Sequence, residues 1–371
     1  DKMPVFVVLR QTLKSNRSKM TDTNDPDLFH DNKSHTRTAC KYRSYNGIMT
    51  FCKKRPKTME IREVRRKISI TRSNEFKKMK LASHALNVGL LCGHGCLYCS
   101  TPSMMRTQTK VFKNIKGSSF KAFEAGIAVV DPDTPKRIAQ KARRLKPSDT
   151  VMFCSYTDGW SPEAQKFQLG RKCLQEVMTT SRCKIRILTK NAAVQADFDL
   201  IRQYADRVEL SLSLTAPPSK NSLMRIIEPN ASPVLDRIKA LQAAKQIGIP
   251  VFGILCPCLP GVADTADAFG ELLDIMLSLE PTAIWTEPVN PRGPGLKNCA
   301  EHLGRHDLFH EADQINAVRN RQTYNRYVYH FIETATAEAR RRNCFEILNI
   351  LVYESGQDFK GDDQAVIWLK K

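Results

Sequence analysis

Three cysteines stand within eight residues, in the run Cys92-Gly-His-Gly-Cys96-Leu-Tyr-Cys99. Three thiolates so closely spaced can hold three irons of a [4Fe–4S] cube and leave the fourth iron open. An open iron takes a ligand from outside the chain, which points to chemistry at the metal. Zinc is the competing reading, but zinc prefers four ligands in paired spacings, with a second pair downstream. The nearest extra soft ligand is His94, inside the loop and too constrained to close a tetrahedron. Buried structural cysteines are common, yet three in a glycine-rich loop with a histidine do not read as core filling.

The loop needs a scaffold, and strand and helix signals alternate around it. Lys67–Thr71 reads as a short strand, and Ala85–Leu91 as a strand leading directly into the cysteines. Further strands are expected at Val151–Cys154, Lys184–Leu188, Val208–Leu214, Pro250–Cys256 and Thr282–Trp285. Helices are expected between them, at Pro162–Met178 behind Ser161, Ala192–Tyr204, from Ser232-Pro233 to about Ile247, and Ala263–Leu279. Repeated strand–helix units of this length imply parallel strands with crossover helices, and ligands then collect at the C-terminal strand ends. About six units give an α/β fold, a partial (β/α)6 barrel of the TIM type. Polar residues cluster at the expected rim: Tyr156-Thr157-Asp158-Gly159, Thr189-Lys190, Ser211 and Ser213, and Cys256-Pro257-Cys258. Hydroxyls and turn aspartates cap helices routinely, so the set carries more weight than any member. The partial barrel is assigned to residues 67–295, with a basic N-terminal extension over 1–66. Residues 296–371 are expected to cap the mouth, with a long helix at Arg321–Arg342 and a strand at Phe345–Tyr353.

The 371 residues carry a net charge of +20, and residues 1–80 hold 21 Lys and Arg against 8 Asp and Glu. Residues 1 to about 57 are polar without sustained period and read as an extension with little regular structure. Such a basic field favours a polyanion through counterion release, although a solvated basic arm has the same composition. No apolar run approaches the ~20 residues that cross a bilayer, so no membrane association is expected. The early apolar stretch Val5–Leu9 is too short for a leader. Twelve cysteines without a secreted-scaffold pattern fit a reducing cytoplasm.

The cysteine spacing, with an aromatic residue just before the third cysteine, resembles the radical S-adenosylmethionine (radical SAM) superfamily. Thr157-Asp158, Leu188-Thr189-Lys190, Arg225…Glu228-Pro229 and Pro257…Pro260-Gly261…Asp264 extend the likeness to the DNA repair photolyase group, which contains spore photoproduct lyase. It runs from about residue 67 to 295, with a fainter echo at Arg326-Tyr-Val-Tyr-His330. The resemblance implies a [4Fe–4S] cluster on Cys92, Cys96 and Cys99, with S-adenosylmethionine on its open iron. It also implies that Tyr98 lies beside the adenine, that Thr157 and Lys190 hold the methionine portion, and that Ser213 lies close by. In the same frame Asp158 could accept from the cofactor amine, and Ser211 with Ser213 could meet its ribose or sulfonium side. Two positions depart from the lyase. Ser100 stands where it has a relay tyrosine, and Ser155 where it has a hydrogen-donating cysteine, with Cys154 adjacent. A one-residue shift on a strand turns a side chain to the other face, so Cys154 would need a bulge to substitute. Cys256 and Cys258, expected to share a face, are further candidates for a hydrogen donor.

These readings lead to a radical SAM enzyme that cleaves its cofactor to a 5′-deoxyadenosyl radical and abstracts hydrogen from a nucleic acid, DNA first. It would repair or modify a base, fed by a reducing electron donor such as flavodoxin or ferredoxin. The basic arm and the Arg340-Arg341-Arg342 run are expected to grip the backbone. Two alternatives stand beside it: the same chemistry on a protein or small molecule, and a non-catalytic metal-stapled nucleic-acid-binding protein. The polar strand ends argue against the second, because a staple needs none.

Overall fold

The computed structural model describes residues 59–370 except Ile68, so the expected extension over residues 1–57 lies outside the described residues. In chain order the strands are β1 (Glu60–Glu63), β2 (Ile70–Arg72), β3 (His84–Leu86), β4 (Gly89–Leu91), β5 (Ile127–Val130) and β6 (Thr150–Phe153). They continue as β7 (Lys184–Thr189), β8 (Val208–Leu212), β9 (Gly253–Cys258), β10 (Ile284–Pro288), β11 (Leu348–Val352) and β12 (Val366–Trp368). One sheet has the order β2-β3-β6-β7-β8, a second β12-β11-β10-β9. A parallel bridge between Leu210 and Val251, with Leu214 N–H donating to Ile254 O at 3.0 Å, joins them into one wall. Every pairing in that wall is parallel except β2 with β3. Six parallel strands, β3, β6, β7, β8, β9 and β10, form the partial α/β barrel that the strand–helix alternation implies.

Alternation along each strand divides the core in two. Ile185 and Ile187 of β7, with Val208, Leu210 and Leu212 of β8, face the surrounding helices in the larger apolar core. Met152, Phe252, Ile254, Trp285 and Leu351 face inward and pack around Met79, Leu81 and Ala82, which plug the barrel. The plug is fastened from both sheets: Trp285 Nε1 donates to Met79 O at 2.9 Å and Arg186 Nη1 to Leu81 O at 2.8 Å. Strands of both sheets meeting one short segment require a curved wall.

Three expectations change. The strand expected over Ala85–Leu91 is split, because Val88 N–H goes to Thr157 Oγ1 instead of a neighbouring strand. Its first half stays in the barrel, while β4 turns away to pair with β5. The helix expected over Pro162–Met178 is two helices, Pro162–Lys166 and Leu169–Thr180. They are separated by Gln168 at φ 55°, and Gly170 N–H bonds back to Gly159 O. Finally, part of the C-terminal segment belongs to the wall itself. Its strand β11 pairs in parallel with β10 and lengthens the wall, and the helix Arg321–Arg341 packs outside against the helix Ala266–Leu277. At the other end, β1 falls within the segment assigned to the extension and pairs in parallel with β5. With β4 these strands form a small accessory sheet.

Candidate metal centre

The cysteine loop leaves β4 at the C-terminal rim and has no regular structure, so other elements must satisfy its backbone. Gly93 N–H donates to Glu163 Oε2 at 2.9 Å, and Asn230 Nδ2 donates to Gly93 O at 2.9 Å. Leu97 N–H reaches Ile227 O at 2.9 Å and Asn230 N–H reaches His94 O at 3.2 Å. A Cβ at Gly93 would stand 2.1 Å from Met59 Sδ and 2.5 Å from Glu163 Oε2, so both side chains would have to move to admit one. His94 lies with Nδ1 3.6 Å from Asp158 Oδ2, and burial pushes its pKa below the ordinary histidine range. It therefore packs as a neutral ring beside Asp158.

Cys92, Cys96 and Cys99 are thus held in one fixed loop. Burial pushes all three thiols up, so ionising them requires a cation that returns the lost solvation. Among the described residues, no group of three His, Cys, Asp or Glu side chains converges on a single ion.

Beside the loop lies a buried charge network. Glu228 accepts from Tyr98 Oη and from the Arg237 guanidinium, and lies 3.2 Å from Lys190 Nζ. Burial opposes its charge, but Arg237 and Lys190, with these hydrogen bonds, hold its carboxyl down at about 2. Arg237 is itself 1% exposed and also donates to Ser213 O and Ser232 O. Two cations face one carboxylate, which leaves a surplus positive charge on half-buried Lys190. Lys190 Nζ sits 5.7 Å from the Tyr98 ring centroid and 3.5 Å from Cys256 O. Tyr98, Lys190 and Cys256 are thereby brought together.

Thr157 and Asp158 have internal work. Thr157 Oγ1 accepts from Val88 N–H at 3.1 Å, and Asp158 accepts from Thr189 Oγ1, Lys190 N–H and Trp160 N–H. Ser211 lies on β8 facing inward with its hydroxyl fully buried and without a hydrogen-bond partner. Ser213 is buried just beyond the end of the same strand. Ser155 Oγ accepts from Asn87 Nδ2 at 2.8 Å.

The three remaining cysteine candidates separate. Cys154, at φ 75°, turns its sulfur back to accept from Gly159 N–H within the outer core. Cys258 is fully buried in that core, against Leu255 O and Thr286 Oγ1. Cys256 alone of the three packs on the barrel interior and keeps partial exposure. It and Cys258 therefore do not share a face; the pairing of β9 with β10 shifts register between Thr286 and Pro288. Cys256 borders Glu287, whose carboxyl burial pushes up to about 7 against the opposing pull of Lys190, Tyr353 and Cys256. Sequence reasoning passed over Glu163, Arg237, Glu287 and Tyr353, none of which stands in a spaced motif. Glu228 was visible only as part of the Glu228-Pro229 likeness.

Residues 86–273, just over half of the chain, match the model of the radical SAM superfamily. The chain belongs to the radical SAM superfamily. An uncharacterized protein of Acidianus two-tailed virus is 27% identical over 218 residues, spanning 57% of this chain and 69% of that protein. An uncharacterized protein of Mycobacterium bovis is 22% identical over 205 residues, spanning 54% of this chain and 57% of its own length. A cysteine-to-serine variant of spore photoproduct lyase superposes with a TM-score of 0.52 at 13% identity, covering 78% of this chain and 81% of that one. At that identity the likeness is one of fold.

Radical SAM proteins use a [4Fe–4S] cluster and S-adenosylmethionine, and the site fits both. Three thiols in one loop suit the cluster. The surplus charge of Lys190 suits the cofactor carboxylate, and the orphaned Ser211 hydroxyl offers an unused polar contact inside the barrel. Among the described residues, no helix is long and apolar enough to cross a membrane.

Proposed function

We propose that this radical SAM protein abstracts hydrogen from a nucleic-acid substrate, DNA first, in a base repair or modification reaction. With the cluster on Cys92, Cys96 and Cys99, bound S-adenosylmethionine supplies a 5′-deoxyadenosyl radical at the mouth. Tyr98 and Lys190 would line the cofactor's place, with Lys190 the partner for its carboxylate, while Ser211 lies on β8 below and Ser213 just beyond its end. Thr157 and Asp158 act through the loop and Lys190 that they hold in position.

Cys256 carries the reading furthest, as the candidate thiol that faces the barrel interior and retains exposure. A carbon radical on the substrate takes the hydrogen atom of Cys256: the S–H bond breaks and a C–H bond forms. The thiyl left behind returns to thiol with one electron and one proton from the reductant, a flavodoxin- or ferredoxin-type donor. A nucleic-acid substrate is supported by the net charge of +20 and by a fold shared with spore photoproduct lyase.

Anaerobic reconstitution, reduction and addition of S-adenosylmethionine with DNA or RNA oligonucleotides test the reading. The wild type should release 5′-deoxyadenosine and alter the oligonucleotide, while Cys96→Ala should hold little iron and release none. Release of 5′-deoxyadenosine with no change in any oligonucleotide would move the substrate to a protein or small molecule.

A further inference from the structure

Between the cysteine loop and β5 the chain makes four short helical turns over residues 101–124, a unit absent from the strand–helix alternation. Met105, Phe112, Ile115 and Ala122 are buried, packing the unit on Leu90, Leu91, Ile127 and Val129 of the accessory sheet. Its cations are left outside: Arg106, Lys110, Lys113, Lys116 and Lys121 are all exposed, and residues 101–121 contain no Asp or Glu.

Two observations bear on this set. Among the described residues none of the five joins an ion pair, whereas the Arg340-Arg341-Arg342 run is engaged. Arg340 pairs with Asp362, Arg341 with Glu338, and Arg342 with Asp274 (2.6 Å) and Glu338. The run expected to grip phosphates is thus neutralised within the chain. The unit also touches the mouth. A Cβ on Gly293 would stand 3.2 Å from Ser103 Cβ and 3.3 Å from Phe120, so the loop after β10 rests on the unit. That loop carries exposed Arg292, whose guanidinium lies 5.3 Å from the ring of Tyr353 beside Glu287.

We infer that residues 101–121 together with Arg292 form a phosphate-backbone track that delivers a single-stranded or extruded nucleotide to the mouth. Unpaired lysines on a fixed scaffold neutralise phosphates without reading sequence. Met104, 44% exposed in the same unit, offers an apolar contact of the kind an unstacked base can use. Continuity with Arg292 favours the substrate strand over an acidic reductant protein, which has no need to cross the mouth. The inference rests on the nucleic-acid reading above.

The test uses full-length reconstituted protein and the triple variant Lys110→Glu, Lys113→Glu, Lys116→Glu, with Arg341→Gln as a control and thermal unfolding to verify the fold. Binding to labelled single-stranded DNA and RNA is titrated against salt. If each lysine meets one phosphate, the triple variant's slope of log K against log salt should fall by about 2, at ~0.7 per contact. Its affinity at low salt should fall about tenfold or more, with Arg341→Gln unchanged. A triple variant that binds as the wild type does would overturn the track and leave the nucleic-acid reading intact. A wild type without salt-dependent binding to any oligonucleotide would end both. Slower cluster reduction by flavodoxin with unchanged oligonucleotide binding would reassign the surface to the reductant.

Discussion

On the side of the mouth built by β6, β7 and β8, charged groups are buried and paired. Glu228 meets Arg237, Lys190 and Tyr98, and Asp158 takes three hydrogen-bond donors. On the side built by β9, β10 and β11, Cys256 and Glu287 are only partly buried, and Glu287 sits near neutrality. The first arrangement fixes geometry: a carboxylate held at about 2 does not change protonation in any working range. The second leaves a thiol and a titrating carboxyl partly exposed, which on the proposed reading is where a substrate meets them. The difference separates residues that hold the cluster loop from residues that can meet a substrate.

The comparison breaks most readily at Glu228. Glu228→Gln removes the carboxylate between Arg237 and Lys190 and leaves a buried guanidinium short of its partner. A loss of ~3–5 kcal/mol in chemical denaturation is expected, with faster loss of cluster absorbance. Little change in either would mean that the holding side is not rigid. A smaller and more selective effect is expected across the mouth. Cys256→Ser keeps the shape but replaces a weak S–H bond with a strong O–H bond. Product per 5′-deoxyadenosine should fall by about tenfold, equivalent to ~1.4 kcal/mol of barrier, while 5′-deoxyadenosine release persists. An unchanged ratio would remove Cys256 as the donor.

The smallest effect concerns Glu287. Its folded pKa of about 7 lies above the ordinary value of 4.5, so the native state binds the proton more tightly than the unfolded chain. Its contribution to stability is full below the unfolded pKa and is lost as pH rises toward 7. Glu287→Gln, which stays neutral, should therefore gain in melting temperature relative to wild type between pH 5 and pH 8. A constant difference across that range would show that the carboxyl is already ionised at pH 5.

Much of this protein could be read before folding it. The six strand–helix units followed from alternating residues such as Val208, Leu210 and Leu212, whose outward faces were legible because a half-buried strand must repeat every second residue. The cysteine loop was legible because cluster ligation imposes spacing on residues close in sequence. Less accessible was anything that depended on contacts between distant elements. Glu163 reaches Gly93 across 70 positions and Tyr98 reaches Glu228 across 130, and no local pattern marks either. The pairing of β11 with β10 was hidden for the same reason, since an isolated strand carries no record of its neighbour.

The sequence by itself determined the cluster motif, the alternating α/β architecture and the positive charge. Each is written in residue type, spacing or count, and survives without coordinates. Only the tertiary structure decided which cysteine faces the mouth and which cations remain free. Cys154, Cys256 and Cys258 are alike as residues, and strand register with a left-handed backbone turn sends two of them into the outer core. Arg340–Arg342 and the residues from Arg106 to Lys121 are alike as basic runs. Their difference lies in whether a carboxylate from elsewhere in the chain arrives beside them.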